Sequence, residues 1–124
     1  MVDEHEADDV VKERESGHIT NKMISDILVT CFEGGSNYWV EEVRLPDEVP
    51  EGATYASDVP GLGGTIQVVD FEGPRPVDRE IMVQGIIMAA NYMGLSVEDF
   101  YENHDAESAD IALQFALFGE IIYG

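Results

Sequence analysis

The stretch Thr65-Ile66-Gln67-Val68-Val69-Asp70-Phe71-Glu72-Gly73-Pro74-Arg75-Pro76-Val77-Asp78-Arg79 decides the fold class of this chain. Its first seven residues, dominated by β-branched side chains, read as a strand. Gly73-Pro74-Arg75-Pro76 reads as a proline-bounded turn. Asp78 then reads as the cap of a helix from Arg79 to about Met93, with Met82, Ile86, Ala89, Ala90 and Met93 on one side and Gly94 as its stop.

Upstream, Pro60-Gly61-Leu62-Gly63-Gly64 is a loop leading into that strand, and Tyr55-Ala56-Ser57-Asp58 before it reads as a helical turn. A first strand is expected from about Tyr38 to Leu45. Trp39, Val43 and Leu45 share one face, Tyr38, Val40, Glu42 and Arg44 share the other, and Pro46 ends it. Before that, Thr20 is a plausible cap for a helix whose Met23, Ile24, Ile27, Leu28 and Cys31 recur at helical spacing, closed by Gly34 and Gly35. Downstream, Ser96 starts a short helix through Phe100 and Tyr101. Asp105 starts another from Ala106 to Phe118, largely apolar in its second half. Glu120-Ile121-Ile122-Tyr123 reads as a final strand. The order α-β-β-α-α-α-β predicts an α+β domain with a small, mainly antiparallel sheet packed against three to four helices.

Composition adds 26 acidic residues against six basic ones, a formal net charge of -20 on 124 residues. Such a charge repels nucleic acid and anionic membranes. Residues 1–17 carry seven of the acids and few apolar side chains, and are expected to form a disordered acidic tail ahead of one domain over residues 18–124. The other 19 acids are scattered, which favours adaptation to molar salt over carboxylates arrayed as a nucleic-acid mimic. A single cysteine excludes an intrachain disulfide. No apolar run reaches the roughly 20 residues of a membrane helix, and a soluble, intracellular protein is expected.

Catalytic chemistry has little to stand on. His5, His18 and His104 lack metal-ligand spacing, and no metal or cofactor is expected. Asp105, Glu107 and Asp110 read as helix-start acids favoured by the helix dipole. Cys31, on an apolar helix face, reads as a small buried hydrophobe. The Gly61–Gly64 loop precedes a strand and has no following Lys-Ser/Thr, so it matches neither phosphate-loop pattern. What remains is a candidate ligand site. Tyr38 and Trp39 can stack on a ring or belong to the core. Arg44, in a chain with few cations, can meet an anion or pair with Glu42. Gly63 and Gly64 allow close backbone approach.

The segments Asp26-Ile27-Leu28-Val29-Thr30, Glu33-Gly34-Gly35-Ser36-Asn37-Tyr38-Trp39, Tyr55-Ala56-Ser57, Gly63-Gly64-Thr65, Asp105-Ala106-Glu107-Ser108-Ala109-Asp110 and Gln114-Phe115-Ala116-Leu117-Phe118-Gly119-Glu120 together resemble a family of short proteins of tailed phages and prophages. The resemblance spans roughly residues 24 to 124 and is that of a salt-adapted, haloarchaeal or haloviral member. It implies a context, action on host machinery or host defence, and carries over no catalytic residue. Three functions follow as expectations. The first is a non-enzymatic homo-oligomer binding a small ligand, such as a nucleotide defence signal, through Tyr38, Trp39, Arg44, Gly63 and Gly64. The second is an acidic inhibitor or nucleic-acid mimic that binds a host protein. The third is an enzyme with a cryptic site.

Overall fold

Capping side chains set the helices. A computed structural model describes residues 18–124; the acidic tail expected over residues 1–17 lies outside the described residues. Four helices each begin at a side chain that accepts from the backbone N–H three residues on. Thr20 caps α1 (Asn21–Thr30), Asp78 caps α2 (Arg79–Met93), Ser96 caps α3 (Val97–Asn103) and Asp105 caps α4 (Ala106–Phe118). Each such cap contributes about 1 kcal/mol. Gly94 and Gly119 close α2 and α4 in the left-handed conformation. The first helix ends differently from expectation. After Thr30 the chain widens into a turn over Cys31–Gly35, and the Ser36 N–H bonds to the Cys31 carbonyl five residues back.

Three strands form one antiparallel sheet in the order β1 (Glu42–Arg44), β2 (Ile66–Asp70), β3 (Gly73–Val77). The domain is therefore α+β with a small antiparallel sheet, as the sequence predicts, but three local readings need correction. Gly73-Pro74-Arg75-Pro76 is strand, not turn; the turn is Phe71-Glu72, and β2 and β3 make a tight hairpin. The strand tolerates two prolines because it is an edge. The missing N–H groups face away from β2, where no ladder bond is lost. Only Glu42–Arg44 of the expected first strand is paired, because Tyr38 and Trp39 lie in a turn where the Trp39 and Val40 N–H groups bond back to Ser36 O. Residues 120–123 form no strand. They make an extended strap whose backbone bonds to a side chain, for reasons given below.

The core lies between the sheet and the helices. It is built from Ile24, Ile27 and Leu28 of α1, Met82, Ile86 and Ile87 of α2, Phe100, Leu113, and Ile66, Val68 and Val77 of the sheet, all buried. Burying one such side chain contributes about 1.5–3 kcal/mol. Helices α2 and α4 make the closest approach, and Gly85 permits it. A Cβ there would stand 2.5 Å from the Ala112 carbonyl oxygen and 2.6 Å from the Ala116 Cβ. Mid-helix Gly-to-Ala changes ordinarily stabilise by about 1 kcal/mol. At Gly85 the sign reverses: Gly85→Ala is expected to lower unfolding free energy by about 1–3 kcal/mol, measured by urea denaturation.

Candidate functional site

Besides Ser108 of its capping box, helix α4 buries two polar side chains one turn apart, Asp110 and Gln114. Asp110, read from sequence as a helix-start acid, lies instead in the second turn and is 6% exposed; Asp105 and Glu107 do sit at the helix start. A carboxylate taken out of water needs partners at every lone pair. Asp110 finds four, none of them a cation. Its Oδ1 accepts from Ser36 Oγ and Trp39 Nε1, each at 2.7 Å, and its Oδ2 accepts from the Tyr38 hydroxyl and from Gln114 Nε2 at 2.9 Å. The turn after α1 delivers Ser36, Tyr38 and Trp39 as donors, and Gln114 comes from α4 itself, which is why Tyr38 and Trp39 leave the strand pattern. Burial of its hydroxyl end, then the hydrogen bond to Asp110, pushes the Tyr38 phenol up to about 12.

Gln114 passes the network to the C-terminus. Its Oε1 accepts from the Ile122 and Tyr123 N–H groups at 2.9 and 2.8 Å, and its Nε2 donates to the Tyr123 carbonyl at 3.2 Å. One amide side chain thus imitates the peptide edge of a neighbouring strand. The strap lays the Tyr123 ring on Trp39, centroids 5.0 Å apart and nearly parallel. The Tyr123 hydroxyl donates to Asp70 Oδ2 at 3.2 Å. Asp70 also accepts from the Glu72 N–H at 3.0 Å and from Arg75 Nε at 3.2 Å. Burial alone would raise the Asp70 carboxyl; the Glu72 N–H and then Arg75 outweigh it and hold it below the usual carboxylate value. The Arg75 guanidinium lies over the Phe118 ring, 4.7 Å from its centroid.

The residues expected to bind a ligand are not brought to one place by this network. Trp39 is 6% exposed, with one face taken by Tyr123; Tyr38 is 58% exposed but its hydroxyl points inward to Asp110. Arg44 lies on β1 and pairs with Glu42 at 3.1 Å, both side chains about half exposed. Gly64 is close-packed, since a Cβ would stand 2.6 Å from Val59 Cγ1 and 2.8 Å from Pro50 Cγ. Gly63 has a φ of +97° that the loop's turn requires, with open space beside it. Asp110 and Gln114 are the residues that sequence reasoning missed. Their signal was two polar side chains at i and i+4 on a helix otherwise read as buried.

Other reactive groups are quiet or engaged. Cys31 is buried, its Sγ–H facing the Ala109 carbonyl at 3.1 Å, and burial pushes the thiol up to about 12, so it is no nucleophile near neutrality. A second polar cluster joins α1 to α3: Lys22 Nζ contacts Asp26 at 2.6 Å and the Tyr101 hydroxyl at 3.3 Å, and Tyr101 donates to Asp26. Lys22 and Tyr101 stand at the wall of a cleft of about 420 Å³ that also holds His18, Thr20, Glu98 and Glu102. Among the described residues no three His, Cys, Asp or Glu side chains converge as a metal site, and no single helix is long and apolar enough to cross a membrane. No protein-family model, curated protein or solved structure matches the chain.

Asp110→Asn must aim an amide N–H₂ at donors already in place. It is expected to cost about 3 kcal/mol, read by urea unfolding followed through the single tryptophan, Trp39; an unchanged midpoint would contradict the hub. Asp58 gives a pH prediction. The Ser25 hydroxyl and then the Thr54 and Tyr55 N–H groups lower its folded value. The unfolded chain therefore binds that proton at higher pH than the folded one. Its stabilisation is complete above the ordinary carboxylate value, near 4, and is lost as pH falls through the lower folded value. Asp58→Asn should flatten the acid limb of a stability-against-pH curve below pH ~4.

Proposed function

We propose that the protein is a non-enzymatic binding protein whose acidic surface docks on a basic surface of another protein, of the kind that otherwise holds a nucleic-acid backbone. The observation that carries this reading is the fate of the cations. After residue 17 the chain has four, and each is engaged within the fold. Lys22 pairs with Asp26, Arg44 with Glu42, and Arg75 with Asp70 and Glu72; Arg79 donates to the Ile19 carbonyl at 2.7 Å and to Asn21 at 3.2 Å. Against them stand 19 carboxylates over the same residues. An anionic small ligand would approach a like-charged shell in which each of these four basic side chains already has a partner. A cationic protein surface would instead be steered in, with on-rates raised roughly 10- to 1,000-fold at low salt.

A second reading rests on the cleft between α1 and α3. Its volume suits a small molecule, and Lys22, His18 and the Tyr101 hydroxyl offer polar contacts there. In that reading the protein is a homo-oligomeric ligand binder. The exposed apolar side chains Tyr92, Ile121 and Ile122, with the partly buried Phe115 edge-on to Tyr92, would form the subunit contact. Either reading accords with the context that the sequence resemblance implies, a small accessory protein of a tailed phage acting on host machinery or host defence in the cytoplasm of its prokaryotic host. Native mass spectrometry of protein isolated from its own cells separates the two. A bound basic polypeptide, released as salt rises and the Debye length falls from about 8 Å to about 3 Å, is the expected result. A constant extra mass of a few hundred daltons per protomer, on the order of one ligand in such a cleft, would replace it with the second reading.

A further inference from the structure

The sheet has two edges, and they differ chemically. The Phe71-Glu72 turn closes on the Asp70–Gly73 pair, and Pro74 and Pro76 have no N–H to offer β2. The residues of β3 that bond to β2 are therefore Gly73, Arg75 and Val77, opposite Asp70, Val68 and Ile66. Both prolines face outward, so the outer edge of β3 lacks donors where an added strand would need them.

Alternation along β2 then fixes the other side. With Ile66, Val68 and Asp70 committed to β3, Gln67 and Val69 bond to β1 through their partners Arg44 and Glu42. The Glu41 N–H joins them at the Val69 carbonyl, at 2.8 Å. Val43, between Glu42 and Arg44, turns its N–H and C=O to the outer edge of β1. That edge carries no proline, and β2 is the element that packs closely on β1. Beside it lies a hollow of about 190 Å³ lined by Phe32, Asn37, Val40, Glu41, Glu42 and Val43. Glu41 is exposed here, and exposed Asp47 and Glu48 follow the strand.

We infer that the outer edge of β1 is a strand-addition site for an extended, lysine- or arginine-bearing segment of a partner protein. The partner's backbone pairs with the Val43 N–H and C=O. One aliphatic stem enters the hollow against Phe32 and Val40, with its cationic end at Glu41. Charge complementarity selects this occupant: exposed Glu41, Glu42, Asp47 and Glu48 lie along and just beyond this edge, and an acidic segment would place like charges beside them. The inference rests on the proposed basic-partner function and adds where and in what conformation the partner binds.

The test uses the full chain and two synthetic probes, a short peptide of alternating lysine and valine and the same peptide N-methylated at alternate residues. Both carry the same charge, but only the first can complete a backbone ladder. The expected result is at least about tenfold tighter binding of the unmodified peptide, with its binding slowing hydrogen exchange at the Val43 amide. Val43→Pro, which copies what β3 already tolerates at Pro74 and Pro76, should abolish that preference. Should this variant not fold, the N-methylated peptide still decides. Equal binding of both peptides with unchanged exchange at Val43 would overturn strand addition yet leave an acidic surface that binds cations. No binding of either peptide at low salt would overturn both the edge and the basic-partner reading. Protection of Val43 that grows with protein concentration alone would assign the edge to a second copy instead.

Discussion

The Asp110 carboxylate is the constraint on which the rest of the structure depends. A charge so deeply buried, with neutral donors as its only partners, stays buried only if all four of its hydrogen bonds are made together. Those bonds come from the turn after α1 and from its own helix, and through Gln114 they reach the last residues of the chain. Ser36 and Trp39 are more than 70 residues from Asp110 in sequence. The carboxylate therefore fixes α4 against the end of α1, the strap against α4, and Tyr123 against Trp39. Position and stacking in this half of the molecule follow from one unshared charge.

The same disposition of polar groups bears on function. The aromatic side chains that could have formed a stacking platform are enlisted in closing the fold: Tyr38 and Trp39 by Asp110, and the exposed face of the indole by Tyr123. Arg75 is enlisted too, by Asp70 and by the Phe118 ring. What the molecule presents outward is negative charge, a hairpin edge closed by prolines, and a three-residue strand whose backbone is not closed.

Much of the fold was legible because much of it is local. Thr20, Asp78, Ser96 and Asp105 cap helices through bonds to residues three positions away, so sequence alone reveals them. Cys31 reads correctly as a buried hydrophobe for the same reason, its place on an apolar helical face. The errors share a different cause. Pro74 and Pro76 look like a turn because propensity describes a residue's average surroundings, whereas an edge strand exempts its outward N–H positions. The strap looks like a strand because its backbone is bonded like one, but its partner is the side chain of Gln114. Asp110 looks like its neighbours Asp105 and Glu107, and the contacts that set it apart come from residues more than 70 positions away. The candidate site was half legible: Tyr38 and Trp39 were singled out, while the group that holds them was not.

The two prolines of β3 have one more consequence, for how many copies can assemble. Strand-by-strand growth requires each new member to expose an edge as receptive as the one it covered. Two copies joined β1 to β1 would leave a six-stranded sheet whose outer strands are both β3, each bearing Pro74 and Pro76 toward solvent. Propagation ends there, at two. The hairpin thus acts as a chain terminator, and keeps a protein with an open edge from becoming the seed of a fibre.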